Sequence, residues 1–129
     1  MSRGPRPRRA LDSSVLIAQE RGTVQVAERG PEHLYDFTIT CTSPVAFVRV
    51  KYTPRILASA DEIAAEYRHE VRLLRSITQE AAISRELWLR SKHGTWRFLR
   101  VTADGIAELG RDGRLPGERP GPGCGAVGV

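Results

Sequence analysis

The chain has 129 residues, 40% of them hydrophobic and 27% charged, the balance of an ordinary globular protein, and this length suits one domain rather than two. It contains no run of about 18 consecutive apolar residues and no signal-type apolar core after its arginine-rich opening, so a cytoplasmic protein without a membrane partner is expected. The formal net charge of +5 is unevenly placed: residues 1–9 carry +4, residues 109–129 carry +1, and residues 10–108 balance 13 bases against 13 acids.

This partition sets the expected organisation: a disordered basic arm over 1–9, one α/β domain over 10–109, and a Gly/Pro-rich tail over 110–129. The tail holds too little apolar surface to offset the ordering of its backbone. Cys41 and Cys124 give neither a disulfide framework nor a zinc-ligand spacing, so cysteine chemistry is set aside.

In chain order, residues 11–21 read as a helix capped by Asp12, Ser13 or Ser14 and stopped by Gly22. Residues 23–28 alternate Val24 and Val26 with polar neighbours and meet the turn Arg29-Gly30-Pro31, as a strand does. Residues 34–42 form a second strand with Tyr35, Phe37, Ile39 and Cys41 on one face and Asp36 on the other. After Thr42-Ser43-Pro44, residues 46–53 form a third, with Val48 and Val50 opposite Phe47, Arg49 and Lys51.

Ser59-Ala60-Asp61-Glu62 is a capping box opening a helix to about residue 77, whose stripe is Ile63, Ala64, Tyr67, Val71, Leu74 and Ile77. Residues 86–91 and 96–101, joined by Lys92-His93-Gly94-Thr95, read as a C-terminal hairpin. Short turns among the first three strands make an antiparallel meander, and the helix before the fourth permits a crossover. The expected fold is α/β: a mixed β-sheet, made of that meander, the crossover helix and the hairpin, flanked by helices.

Chemistry concentrates on strands two and three. Asp36 is a carboxylate on an otherwise aromatic and β-branched strand, where it does nothing for strand formation. Lys51 is one of only two lysines, with Lys92, against 18 arginines, which points to a position needing a compact ammonium rather than a planar fork. A carboxylate that holds a divalent cation beside an ammonium that steadies phosphate or water supplies the parts for metal-assisted phosphodiester hydrolysis; a plain strand salt bridge among Asp36, Arg49 and Lys51 uses the same residues. On the hairpin, Arg90, Lys92 and Arg97 interleave with Trp88, Trp96 and Phe98, a pattern that suits stacking and phosphate contact, with at least one tryptophan in the core. His33, His69 and His93 stand alone, so no zinc site is expected.

The order helix, three strands, helix, strand, with an aspartate on the second strand and a lysine on the third, resembles the restriction-endonuclease-like superfamily with its D…(D/E)-x-K motif, over roughly residues 11–101. Within that superfamily the chain resembles small archaeal resolvase-type nucleases. The resemblance implies a restriction-endonuclease-like sheet, Asp36, Lys51 and Glu20 as catalytic residues, and Mg²⁺ held by Asp36, Glu20 and a helix carboxylate, Glu66, with Glu70 as its alternative. Nucleic-acid contacts are then expected at Arg49 and, from the hairpin pattern, at Arg90, Lys92 and Arg97, with DNA ahead of RNA as partner and a homodimer as the assembly. The chain departs from the motif at Arg49, which stands in Arg49-Val50-Lys51 where the second acid belongs. Two functions are therefore expected: a divergent Mg²⁺-dependent nuclease, or a non-catalytic nucleic-acid-binding or protein-interaction module on the same fold. The segment 10–18 is also similar to the opening of PIN-domain ribonucleases, which would make Asp12, at the end of a first strand, a metal ligand.

Overall fold

The computed structural model describes residues 8–27, 34–42 and 44–117. Helix α1 (Arg8–Gln19) is followed by strands β1 (Thr23–Val26), β2 (Phe37–Thr40) and β3 (Val45–Tyr52). Helices α2 (Ala60–Glu66) and α3 (Arg68–Arg75) then lead to β4 (Ile83–Arg90), β5 (Trp96–Val101) and β6 (Ile106–Leu109). The strands form one sheet in sequence order, antiparallel throughout except between β3 and β4. That parallel pair is why two helices lie between β3 and β4, since parallel neighbours need a crossover long enough to return the chain to the same end of the sheet.

Strand alternation divides the core in two. Phe37, Ile39, Val48, Val50, Trp88 and Phe98 face α1 and its Ile17 and Ala18. Leu87, Leu89, Leu99 and Val101 face α2 and α3, meeting the stripe Ile63, Tyr67, Val71 and Leu74. The α1 side is the aromatic one: Trp88, wholly buried, meets Phe37 edge-on at 5.5 Å and Phe98 at 4.8 Å, contacts worth about 0.5–1.5 kcal/mol each beyond the area they bury.

The mixed sheet and the crossover agree with the sequence reading, with four differences. The first helix begins at Arg8, inside the segment read as arm. Asp12, required at a strand end by the PIN-type opening, lies within that helix and is exposed. The expected single helix over 59–77 is two, divided at Tyr67 (φ −105°, ψ 32°). No proline or glycine marks the break; Tyr67 is tethered instead by its hydroxyl, which donates to the Tyr52 carbonyl at 2.9 Å. Finally, β6 adds a sixth strand that the weak pattern of Ile106-Ala107-Glu108-Leu109 had not suggested.

Gly22 ends the α1 turn where the chain crosses β2 so closely that a Cβ would lie 2.3 Å from the Thr40 carbonyl oxygen. Beyond β6, residues 110–117 are laid against the end of α1. Gly113 there is buried with φ +82°, its backbone lying on the Arg21 guanidinium. The basic arm up to residue 7 and the tail from residue 118 fall outside the described residues. Cys41 (φ 58°) is disulfide-bonded, so setting cysteine chemistry aside was wrong for this residue; spacing alone cannot reveal a single bridge. Among the described residues no helix is long and apolar enough to cross a membrane.

Candidate phosphate-contact site on strands β2 and β3

The antiparallel ladder pairs Phe37 with Val48 and Thr38 with Phe47. One residue before it, Asp36 interrupts the regular pattern. Its N–H donates to the Val48 carbonyl at 2.7 Å, and its carboxylate Oδ2 accepts the Val50 N–H, also at 2.7 Å. A side chain thus serves as the acceptor that a neighbouring strand would normally provide, which satisfies an amide that burial would otherwise leave unpaired. Asp36 is only 5% exposed. Its carboxylate is therefore fixed at the backbone between Arg49 and Lys51.

Arg49 and Lys51 project from β3 on the α2/α3 side, in register with Leu87 and Leu89 of the adjacent strand. Lys51 Nζ lies 3.5 Å from the Glu70 carboxylate on α3. Of the two helix acids the sequence offered here, the structure places Glu70 at the lysine. Glu66, at the end of α2, faces Arg55 at 3.8 Å. Glu20 lies just past α1, in the opposite layer, and takes two hydrogen bonds from Arg111 at 3.1 and 2.9 Å. Those bonds hold the Glu20 carboxyl below, and the Arg111 guanidinium above, their ordinary values.

Asp36, Glu20 and Glu66 therefore do not converge. Each carboxylate serves a different cation or amide, and two of them sit in layers on opposite sides of the sheet. Among the described residues no three His, Cys, Asp or Glu side chains gather as a metal site requires. With a guanidinium at Arg49, and Asp36, Glu20 and Glu66 apart, these residues do not form the Mg²⁺ site that the resemblance implied. The junction sets two cations, Arg49 and Lys51, beside two carboxylates, the buried Asp36 and the Glu70 that faces Lys51 at 3.5 Å.

The hairpin residues are dispersed. Trp88 is core rather than a stacking platform. Arg90 donates to the Ser91 carbonyl at 3.3 Å, and Lys92 and His93 are exposed in the turn. Arg97 has all three guanidinium nitrogens engaged: Nε and Nη2 with Glu108 at 3.1 and 2.6 Å, Nη1 with the carbonyls of Ile56 and Ala58. The Glu108 contact raises its already high pKa. This arginine pins the loop before α2 to β5 and β6.

Sequence reasoning missed two buried polar centres. Glu86, fully buried on β4, accepts both Arg21 terminal nitrogens at 2.9 Å, the Ser84 hydroxyl at 2.7 Å and the Trp88 indole N–H at 2.9 Å. The Arg21 guanidinium also lies over the Trp88 ring, 5.8 Å from its centroid. Arg85, 4% exposed, donates to the carbonyls of Arg75 and Ile77 at the end of α3 and to Val101, satisfying acceptors a helix terminus leaves open. Burial lowers its pKa. The signal for both was an acid and a base heading the otherwise apolar run Glu86-Leu-Trp-Leu, since a charge inside a sheet demands a partner.

No family model, curated protein or solved structure matches this chain.

Proposed function

We propose that this domain binds the phosphodiester backbone of nucleic acid without cleaving it, on a sheet of nuclease-like strand order. One observation carries the reading: Arg49 and Lys51 flank the Val50 amide that occupies Asp36. Arg49 and Lys51 stand here beside Asp36 and Glu70, and a guanidinium and an ammonium at that place oppose a divalent cation and attract phosphate oxygens. The helix, three-strand, helix, strand order supports the same reading through its likeness to a fold that handles phosphodiesters. That support is analogy rather than chemistry.

A second reading has one observation in its favour. Glu70, 3.5 Å from Lys51, is a helix carboxylate of the kind a nuclease with a displaced second acid would use. Incubating the full chain with labelled branched, single-stranded and duplex DNA and RNA, in Mg²⁺ or Mn²⁺, decides between them. The binding reading expects retention that weakens as salt rises, with every strand intact. Cleavage abolished by Asp36→Ala and Lys51→Ala would establish the enzyme instead, and an absence of retention at low salt would remove nucleic acid altogether.

A further inference from the structure

The helical layer is divided electrostatically at Tyr67. Helix α2 carries Asp61, Glu62 and Glu66 and no base, whereas α3 carries Arg68, Arg72 and Arg75 against Glu70. Three of those acids are neutralised from outside the helices: Arg55 lies 3.1 Å from Glu62 and 3.8 Å from Glu66, and Lys51 takes Glu70. Arg68 and Arg72, one turn apart and exposed, form no ion pair among the described residues. Arg75 is fixed, its Nε and Nη2 donating to the carbonyls of Thr102 and Gly105 at 3.0 and 3.2 Å. The three arginines line one groove between α3 and the β5–β6 turn, with Val71 on its floor and Asp104 as its single acid.

We infer that this groove is the surface along which the nucleic-acid backbone lies. The inference rests on the binding function proposed above and adds where the strand is held. Residues 68, 72 and 75 share one helix face and span about 10 Å at ~1.5 Å of rise per residue. A strand running along that length can present successive phosphates to these side chains. Arg75, anchored by two carbonyls, sets the end of the groove, while Arg68 and Arg72 have no partner among the described residues to give up before they meet phosphate. Planar, forked guanidinium groups suit that contact. The excess of two positive charges, three arginines against Asp104, selects a polyanion, and with no aromatic ring in the lining the contact is to backbone rather than stacked bases, hence tolerant of sequence.

The test is fluorescence anisotropy of labelled single-stranded and duplex oligonucleotides against the full chain, from about 50 to 200 mM salt. The double variant Arg68→Glu/Arg72→Glu is run beside the charge-neutral Arg68→Gln/Arg72→Gln. The neutral pair is expected to lower the slope of log affinity against log salt by about two and weaken binding at least ~10-fold at the lowest salt, the acidic pair more. Thermal melts of both variants are expected to match the parent, since both side chains are exposed; the neutral pair carries the test if the acidic one melts early. Parent-like affinity in both variants, with the parent still binding, overturns the groove and leaves the function standing, with contacts then sought at Arg49 and Lys51. Failure of the parent itself to bind overturns the function, and the groove with it.

Discussion

The Asp36 carboxylate and the Val50 amide are joined at 2.7 Å, a side chain standing in for main chain at the edge of the β2–β3 ladder. The bond places a buried acid at the residue between the two cations of β3. It also explains why an aspartate belongs there structurally. Asp36→Asn, which retains an acceptor, is expected to lose less stability than Asp36→Ala, which leaves the amide unsatisfied at a cost of about 1–3 kcal/mol. Urea denaturation of the two variants checks the order.

Lys51 and Glu70 tie β3 to α3. The pair is partly exposed, 39% and 13% by side chain, with its atoms 3.5 Å apart, so its coupling is expected to be small, about 0.5–1 kcal/mol. A double-mutant cycle with Lys51→Met and Glu70→Gln measures it. Phosphate binding reads the same cycle differently: Glu70→Gln frees the ammonium and is expected to strengthen retention of oligonucleotides at low salt.

Glu86 is the most stringent structural test. It accepts four hydrogen bonds at a fully buried site. Glu86→Ala strands the Arg21 charge and is expected to destabilise the fold by about 3–5 kcal/mol, read as a lowered urea midpoint. Replacing both partners, Arg21→Met with Glu86→Leu, is expected to recover much of that loss, because no buried charge is then left unpaired.

Tyr67 gives the fold an alkaline limit. Burial, chiefly, pushes its hydroxyl above the ordinary value, with the nearby Glu66 and Glu70 carboxylates adding to the shift. The folded state thus holds that proton more tightly than the unfolded chain. The contribution is complete below the unfolded value of about 10 and is lost as pH rises through the higher folded value. Tyr67→Phe is expected to be less stable at neutral pH by about 1 kcal/mol, for the lost bond to Tyr52, yet to decline less steeply above pH ~10. Melting temperatures across that range test both parts.

Arg49 is the residue that separates the two functional readings. Arg49→Glu replaces the guanidinium with the acid of the motif, next to Asp36 and Lys51. The variant's melting temperature is expected to rise with Mn²⁺ while the parent's does not. A parent that responds equally would show that cation binding does not depend on this position.

Elements with strong local periodicity were legible in the sequence. The alternation put Phe37 with Ile39, and Val48 with Val50, on one face of their strands, and the Ser59/Glu62 capping box located the start of α2, because period and cap chemistry are properties of adjacent residues. The chain likewise determined that Arg49-Val50-Lys51 carries a guanidinium where the resemblance to the restriction-endonuclease-like motif would have an acid. What it could not determine was partnership. Which of Glu66 and Glu70 meets Lys51 depends on how the helices pack after the break at Tyr67. That Glu20 and Glu66 lie in opposite layers depends on which face each helix covers. That Arg97 is occupied while Arg68 and Arg72 have no partner among the described residues depends on which loops close over β5. Each is a contact between residues far apart in sequence, and its energy exists only once the sheet has brought them together.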